Sequence, residues 1–383
     1  MKARVRWKYM ARAPWLLWDA LVRGRYRFTL DLMPLVTPPM SMTKRWNLVR
    51  SGMNLLYRRL RPWSWPIHMQ VEVTNYCNLR CPVCPTGTGI LGRPAAMLDV
   101  DLYARLMAEV GPTLLTTLLW GWGEPLLHPQ LAELIRITRS HGVIPITSTN
   151  GQVLHEERIQ EDLLRQPPEH LIVAIDGLTE ETNAAYRKGA KLAGVLDGVR
   201  RLARRKRELG QLLPVLHMRY MVMKHNQHER PRVEGFAAEN GFDFLTIRAL
   251  MTISEDDVHL DELVPTDPKY QGYNIERGRP KPAHDYACQY AFLFPGLQAD
   301  GTIVPCDQDF RGSHPYGRLG PDGGFADIWF GRRAQELRRL IRRDRLAVSS
   351  CRNCPFADRK ADSCSIELGD LDKRPATIAP GSH

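Results

Sequence analysis

The chain has 383 residues and 43.8 kDa, with 43% hydrophobic and 25% charged residues. That apolar content supplies a sizeable core and excludes wholesale disorder, a collagen-like fibre and a polytopic membrane protein. The formal charge of +11 is concentrated: residues 1–66 hold fourteen Lys or Arg against Asp19 and Asp31, an excess of twelve that leaves the remaining chain at −1.

Six of the nine tryptophans, Trp7, Trp15, Trp18, Trp46, Trp63 and Trp65, lie in the same segment. Arg and Asp interrupt its apolar runs and no small-residue cleavage site follows one, so it does not read as an export signal. No run nears the roughly 20 apolar residues of a membrane span. Pro34, Pro38 and Pro39 divide the segment into two predicted basic helices, about 14–25 and 43–60. Arg, Lys and Trp interleaved with Leu suit an interfacial helix, rings at headgroup level and cations over anionic lipid. Plain packing on the body is the alternative. No zinc-finger, RNP or KH signature is present, so no nucleic-acid partner is expected. The expected location is the cytoplasm, peripheral on the inner face of the membrane if residues 1–66 dock there.

From residue 67 the pattern becomes strand then helix, repeated, which predicts an α/β fold with a parallel sheet and crossover helices. Strands are predicted near 67–74, 114–120, 143–148, 171–175, 214–223 and 244–248, with helices near 102–110, 129–141, 155–166, 180–209 and 227–240. Six such units make a partial (β/α)6 barrel, open at one side, with its chemistry on loops at the C-terminal strand ends. The expected domains are a basic, Trp-rich helical extension over 1–66, the barrel over 67–250, a linker over 251–284, a small cysteine-bearing domain over 285–368 and a disordered tail over 369–383.

Eight cysteines stand in two sets, and in a chain without an export signal clustered cysteines favour metal ligation over disulfides. The first set is Cys77-Asn78-Leu79-Arg80-Cys81-Pro82-Val83-Cys84, directly after the first predicted strand. It supplies three thiolates, whereas a cubane cluster held by protein alone takes four, so one iron would be left open. Zinc with a water is the competing reading. The C-x3-C-x2-C spacing after the first strand of a βα series resembles the radical S-adenosylmethionine (SAM) superfamily. That resemblance implies that the open iron is chelated by the amino and carboxylate groups of SAM, whose one-electron cleavage gives a 5′-deoxyadenosyl radical, with electrons from a reductant such as flavodoxin or ferredoxin.

Other segments fall where the family needs them. Gly121-Trp122-Gly123-Glu124-Pro125 is similar to its GGEP motif, with glycines expected to let backbone approach the cofactor and Glu124 expected to receive the SAM ammonium. Trp122 departs from the usual second glycine. Ser148-Thr149-Asn150-Gly151 resembles the ribose-contact segment. Asp176-Gly177 followed by Tyr186-Arg187 is similar to the family's D-G…R stretch, with Arg187 either at the SAM carboxylate or merely facing solvent. Met221-Val222-Met223 marks the usual adenine-facing backbone or, equally, packed core. Val83 stands where many members carry an aromatic residue beside the adenine.

The second set reads Cys288-x17-Cys306, a gap, then Cys351-x2-Cys354-x9-Cys364, with Gly301 inside the first pair. It is similar to the opening of the SPASM and Twitch extensions behind radical SAM cores. Cys288, Cys306, Cys351 and Cys354 suffice for one auxiliary 4Fe-4S cluster; Cys364 is a replacement ligand, a hydrogen-atom donor or an inert thiol. The resemblance implies a radical SAM oxidoreductase. Because no strands were predicted over 1–66, a leader-clamping winged helix is not expected there, which favours oxidation or epimerisation of a small-molecule substrate, sugar-like or lipid-linked. A SPASM-type peptide maturase and a non-enzymatic zinc-stabilised interaction protein are the alternatives.

Overall fold

Two short antiparallel strands, β1 (Arg27–Leu30) and β2 (Met33–Val36), and helix α1 (Met42–Tyr57) precede the repeating part of the chain. There the order is β3 (His68–Val71), α2 (Val100–Val110), β4 (Thr116–Leu118), α3 (Leu131–Ser140), β5 (Ile144–Thr149), α4 (Glu157–Arg165), β6 (His170–Ala174), α5 (Glu180–Tyr186), α6 (Leu192–Glu208), β7 (Val215–Val222), α7 (Val233–Glu239) and β8 (Phe244–Ala249). Strands β3 to β8 pair in chain order and all in parallel. This is the predicted six-unit partial barrel. The computed structural model describes residues 18–250, 260–271, 274–276, 279–281, 288–320, 323–352, 354 and 363–369. The start of the helix predicted at 14–25, much of the predicted linker and all but the first residue of the predicted tail lie outside them.

Strand alternation sorts the core. Leu171 and Val173 of β6, Met218 and Tyr220 of β7, and Leu245 and Ile247 of β8 pack with Leu106, Leu134, Leu163, Val199 and Val233 from the helices. Their neighbours in sequence, among them Ile172, Val215 and Phe244, face the other way and pack with Met33 and Leu35 of β2. The first hairpin therefore fills the concave side of the sheet. This corrects the expectation of a wholly helical extension: Pro34 lies within a hairpin strand that alternates burial at Met33 and Leu35 against exposed Pro34, and Pro38 and Pro39 follow it. Only a five-residue turn of helix, Asp19–Arg23, is described before it.

The hairpin turn puts Asp31 and Leu32 at φ +51° and +66°, a conformation that costs a non-glycine residue about 1 kcal/mol. Its offset is electrostatic. The Asp31 carboxylate accepts from Arg219 of β7 and Arg248 of β8, and all three side chains are about four-fifths buried. Burial pushes the Asp31 carboxyl up, but the two guanidinium charges outweigh it and hold it below the ordinary value.

The predicted helix 180–209 is two helices, because Gly189 takes φ +92° between them and turns the chain. After β8 come α8 (Leu260–Leu263), the antiparallel pair β9 (Asn274–Glu276) and β10 (Arg279–Lys281), α9 (Tyr290–Leu293), β11 (Gly296–Leu297), β12 (Thr302–Val304), β13 (Gly317–Arg318), α10 (Phe325–Trp329), α11 (Arg332–Arg343), α12 (Ser349–Arg352) and β14 (Cys364–Glu367). Strand β11 joins β3 in parallel, β12 and β13 continue that edge, and β14 joins β8 antiparallel at the other. Both edges of the six-stranded set are thus covered. Among the described residues no helix is long and apolar enough to cross a membrane.

Replacing Asp31 by Ala leaves two guanidinium groups facing each other without a counter-ion, an expected loss of about 3 kcal/mol measured by denaturant unfolding. Because the folded pKa is depressed, the stabilisation of the parent chain is complete above the unfolded value of about 4 and is lost as pH falls through the folded one. The variant should show a flatter acid limb.

Candidate functional site

The loop leaving β3 is tied down before it reaches the first cysteine. Thr74 Oγ1 donates to the Ala96 carbonyl at 2.9 Å, Asn75 Nδ2 donates to the Pro94 carbonyl at 2.8 Å, and Asn75 Oδ1 accepts from Ala96 N at 2.8 Å. Cys77, Cys81 and Cys84 follow, lying against Leu79, Val83, Tyr186, Ala190, Met223, Leu250 and Leu263. Leu263 belongs to the predicted linker, so that part of 251–284 covers the site instead of merely connecting domains. Burial pushes the Cys77 thiol up to about 11 and Cys81 up to about 12, and the three thiols lie within electrostatic reach of one another.

The Gly121–Glu124 loop supports this one from behind. A Cβ at Gly123 would stand 2.3 Å from the Thr74 carbonyl oxygen, and one at Gly121 would stand 2.7 Å from Glu72 Cβ. The glycines are thus demanded by close packing of two protein loops. Glu124 N donates to the Tyr76 carbonyl at 2.8 Å. The buried Glu124 carboxylate accepts from Thr149 Oγ1 at 2.6 Å, Asn150 N at 2.7 Å and Leu126 N at 3.0 Å. Three acceptor positions are committed within the protein; burial nonetheless raises its pKa.

Glu124 fixes Asn150, whose Nδ2 donates to Asn78 Oδ1 at 2.7 Å and approaches Cys77 Sγ at 3.8 Å. Ser148, next to last in β5, is half-buried. Asp176, 1% exposed, accepts from Met221 N at 2.9 Å and pairs with Arg187 at 2.6 Å. The Arg187 Nε is buried without a partner, and its guanidinium acts electrostatically on Cys81. Burial lowers the Arg187 pKa, but Asp176 and Cys81 outweigh it and raise it. Asn226, which the sequence reading missed, accepts from Met223 N at 2.7 Å and donates to the carbonyls of Asp176 at 2.8 Å and Met221 at 2.9 Å. The backbone at 221–223, read as adenine-facing, is largely spent on these contacts, and Met223 is core.

In the second set, Cys306 is within electrostatic reach of Cys288, Cys351 and Cys354, and burial holds its thiol well above the ordinary value. Burial likewise pushes Cys351 up to about 12. Cys364 stands apart. It opens β14 opposite Ile247 of β8, on the sheet edge away from β12, and its nearest polar partner is Arg230 at 3.7 Å. Of its three readings, this place on the opposite sheet edge favours a hydrogen-atom donor or an inert thiol over a ligand beside the other four. The two sets are linked through Trp122, whose Nε1 donates to the Asp307 carbonyl at 3.0 Å beside Cys306. Arg93 adds a second tie, paired with the Glu72 carboxylate at 2.7 Å while its Nε donates to the Phe310 carbonyl at 2.6 Å. Neither link is visible in local sequence, since each joins segments about two hundred residues apart. Clustered thiols, buried or half-buried, fit a soft, thiolate-bound iron centre, which deprotonates its own ligands.

Comparison with known proteins agrees with this geometry. The profile of the Radical SAM superfamily matches residues 71–234, and that of an iron-sulfur cluster-binding domain, SPASM, matches 288–355. The chain is 26% identical over 336 residues to the tungsten-containing aldehyde ferredoxin oxidoreductase cofactor-modifying protein of Pyrococcus furiosus, covering 80% of this chain and 91% of that one. It is 26% identical over 343 residues to the PqqA peptide cyclase of Gluconobacter oxydans, covering 83% and 90%. Among solved structures it resembles Streptococcus suis SuiB bound to S-adenosylmethionine, with a TM-score of 0.55 at 14% identity over 77% of this chain and 73% of that one.

Anaerobic reconstitution of Cys364→Ala is expected to leave the iron content of the parent chain unchanged, whereas Cys306→Ala lowers it by about four atoms per chain. Iron and sulfide analysis of both variants checks the separation of Cys364 from the quartet.

Proposed function

The chain belongs to the radical SAM superfamily and carries a SPASM domain, and from that premise we propose that it is a peptide maturase. The observation that supports this reading is the alignment with a peptide cyclase across 83% of this chain and 90% of the relative. It favours a peptide over the sugar-like or lipid-linked metabolite first expected. The argument against a peptide rested on the absence of strands and of acidic content in residues 1–66, and that segment does contain a hairpin, though one committed to the barrel.

In this reading residues 67–250 form the catalytic domain and 285–368 the auxiliary one. Cys77, Cys81 and Cys84 hold the SAM-binding 4Fe-4S cluster, and Cys288, Cys306, Cys351 and Cys354 hold one auxiliary cluster. With SAM bound, the first cluster supplies a 5′-deoxyadenosyl radical able to take hydrogen from an unactivated C–H bond. The chain's own residues place and shield. Gly121 and Gly123 let the supporting loop press against the cysteine loop, Glu124 orients Asn150 toward Cys77, and Val83 supplies an apolar wall. Arg187, anchored by Asp176 with Nε unpaired, is the cation for a carboxylate, and Ser148 offers a hydroxyl at the end of β5. Met33 and Leu35 close the floor of the barrel, so substrate enters from the C-terminal strand ends and water is kept from the lumen. A flavodoxin or ferredoxin is the proposed reductant and the cytoplasm the proposed compartment, where thiols stay reduced for cluster assembly.

Anaerobic incubation with SAM and dithionite should yield 5′-deoxyadenosine, and the Cys77→Ala, Cys81→Ala, Cys84→Ala triple variant should yield none. Deuterium should then pass into 5′-deoxyadenosine from a labelled precursor peptide encoded beside the gene. Transfer from a sugar-like or lipid-linked metabolite, with none from the peptide, would overturn the peptide reading while leaving the family intact.

A further inference from the structure

Helix α1 is amphipathic in the opposite sense to a helix packed on a protein core. Its buried positions are Lys44, Asn47, Ser51 and Asn54, spaced three, four and three residues apart. Each polar group is satisfied, Ser51 within the helix and the others against neighbouring segments. Lys44 Nζ donates to the Gly142 carbonyl at 2.6 Å, Asn47 Nδ2 to the carbonyls of Trp65 and Thr113 at 3.3 Å, and Ser51 Oγ to the Asn47 carbonyl at 2.8 Å. Asn47 Oδ1 accepts from Trp65 N at 2.9 Å and Asn54 Oδ1 from Trp63 N at 3.0 Å. Burial drives the Lys44 ammonium down to about 7.

The face turned to solvent is the apolar one. Met42, Trp46, Met53, Leu56 and Tyr57 are 56, 51, 39, 54 and 64% exposed. At helical spacing they share an arc of about 100°, the width of a stripe normally buried. Trp63, just beyond the helix, is 40% exposed and extends the surface by packing edge-on against Tyr57 at 5.8 Å.

The charge around this stripe selects its partner. Helix α1 contains no acidic residue, Asp31 is consumed by Arg219 and Arg248, and Asp19 pairs with Arg23. Arg50, Arg59 and Arg61 are exposed, with the Arg59 guanidinium 4.3 Å from the Trp63 ring centre. Arg342 of α11 donates to the Arg58 carbonyl at 3.2 Å, which brings the exposed Arg339, Arg342 and Arg343 to the same edge. A second copy of the chain would bring two such positive fields face to face. A bilayer rich in anionic lipid offers what both features ask for, an apolar layer for Trp, Tyr, Met and Leu and negative headgroups for the arginines.

We propose that residues 42–63 form an interfacial docking surface that seats the enzyme on an anionic membrane, with α1 lying in the plane of the headgroups. Of residues 42–63 only Arg58 acts on a cysteine, its charge reaching Cys288, and Arg58 is left unchanged in the variants below.

The test is flotation of the full-length, anaerobically purified chain with vesicles of phosphatidylcholine alone or mixed with phosphatidylglycerol. The parent chain is expected to float with the mixed vesicles and to be released by salt. Trp46→Glu combined with Leu56→Glu should cut the bound fraction roughly tenfold or more, and Arg50→Gln combined with Arg59→Gln should weaken binding to mixed vesicles only. Unchanged thermal unfolding and unchanged 5′-deoxyadenosine formation would show that the variants fold. If Trp46→Glu/Leu56→Glu does not fold, Met53→Ser/Leu56→Ser replaces it. Failure of the parent to float, or equal flotation of parent and folded variants, overturns the proposal. So does a dimer in sedimentation velocity that the glutamate variant splits while vesicles bind neither.

Discussion

Both cysteine-bearing loops hang from one strand. β3 pairs with β4 on one side and with β11 on the other, and the chain leaving its C-terminal end carries Cys77 within six residues. The hairpin that begins with β11 carries Cys306 just past β12. Glu72, the residue after β3, accepts from Arg93 and from Ala299 N at 3.1 Å, so one buried carboxylate clamps the strand to the C-terminal segment. Removing β11 from β3 would release Trp122 from Asp307 and uncouple the two thiol groups. The relative placement of two redox-suited sites is thus a matter of strand register, which hydrogen bonds fix to within a residue.

The barrel was legible because parallel strands buried on both faces read as short apolar runs, and the six predicted strands all recur within a few residues of their predicted bounds. The cysteine spacing was equally legible, since it is local. What escaped were features that depend on contact across the chain. Strands β11 and β13 have two residues each and carry no periodic signal. The first hairpin was hidden by prolines that usually mark breaks and by a turn, Asp31-Leu32, without the glycine such a turn favours. Its turn is held by Arg219 and Arg248, 188 and 217 residues away. His217 and Arg219, alternating with apolar residues along β7, were the available sign that polar groups line the concave face.

The basic segment shows how composition leaves the orientation of a helix open. Interfacial docking and packing on the body both suit its sequence, and the surface against which α1 lies presents the carbonyls of Trp65, Thr113 and Gly142. A hydrocarbon side chain there would strand three acceptors, whereas amide and ammonium donors satisfy them. Burial of a lysine is costly, and the lowered pKa of Lys44 records that cost. The segment therefore does two jobs on opposite sides: its hairpin closes the floor of the barrel, and its helix turns an apolar surface outward.

Burial sets the chemistry of the thiols as well. Cys77 near 11 and Cys81 and Cys351 near 12 are protonated at neutral pH. Each faces other cysteines, so ionising one makes the next harder to ionise. Arg187 beside Cys81 and Arg345 beside Cys288 and Cys351 lower the thiol pKa, but burial outweighs them. A pre-ionised quartet would be a ready target for oxidation, because the thiolate and not the thiol is the reactive form. Keeping the thiols protonated until iron displaces the protons makes loading strengthen as pH rises and leaves the unloaded chain chemically quiet. The same apolar walls that raise these pKa values, Val83 and Leu263 at the first site and Phe292 and Val348 at the second, keep water from the sulfurs once they are bound. Protection of the unloaded protein and shielding of the loaded one thus follow from a single property, the dryness of the pockets in which the cysteines stand.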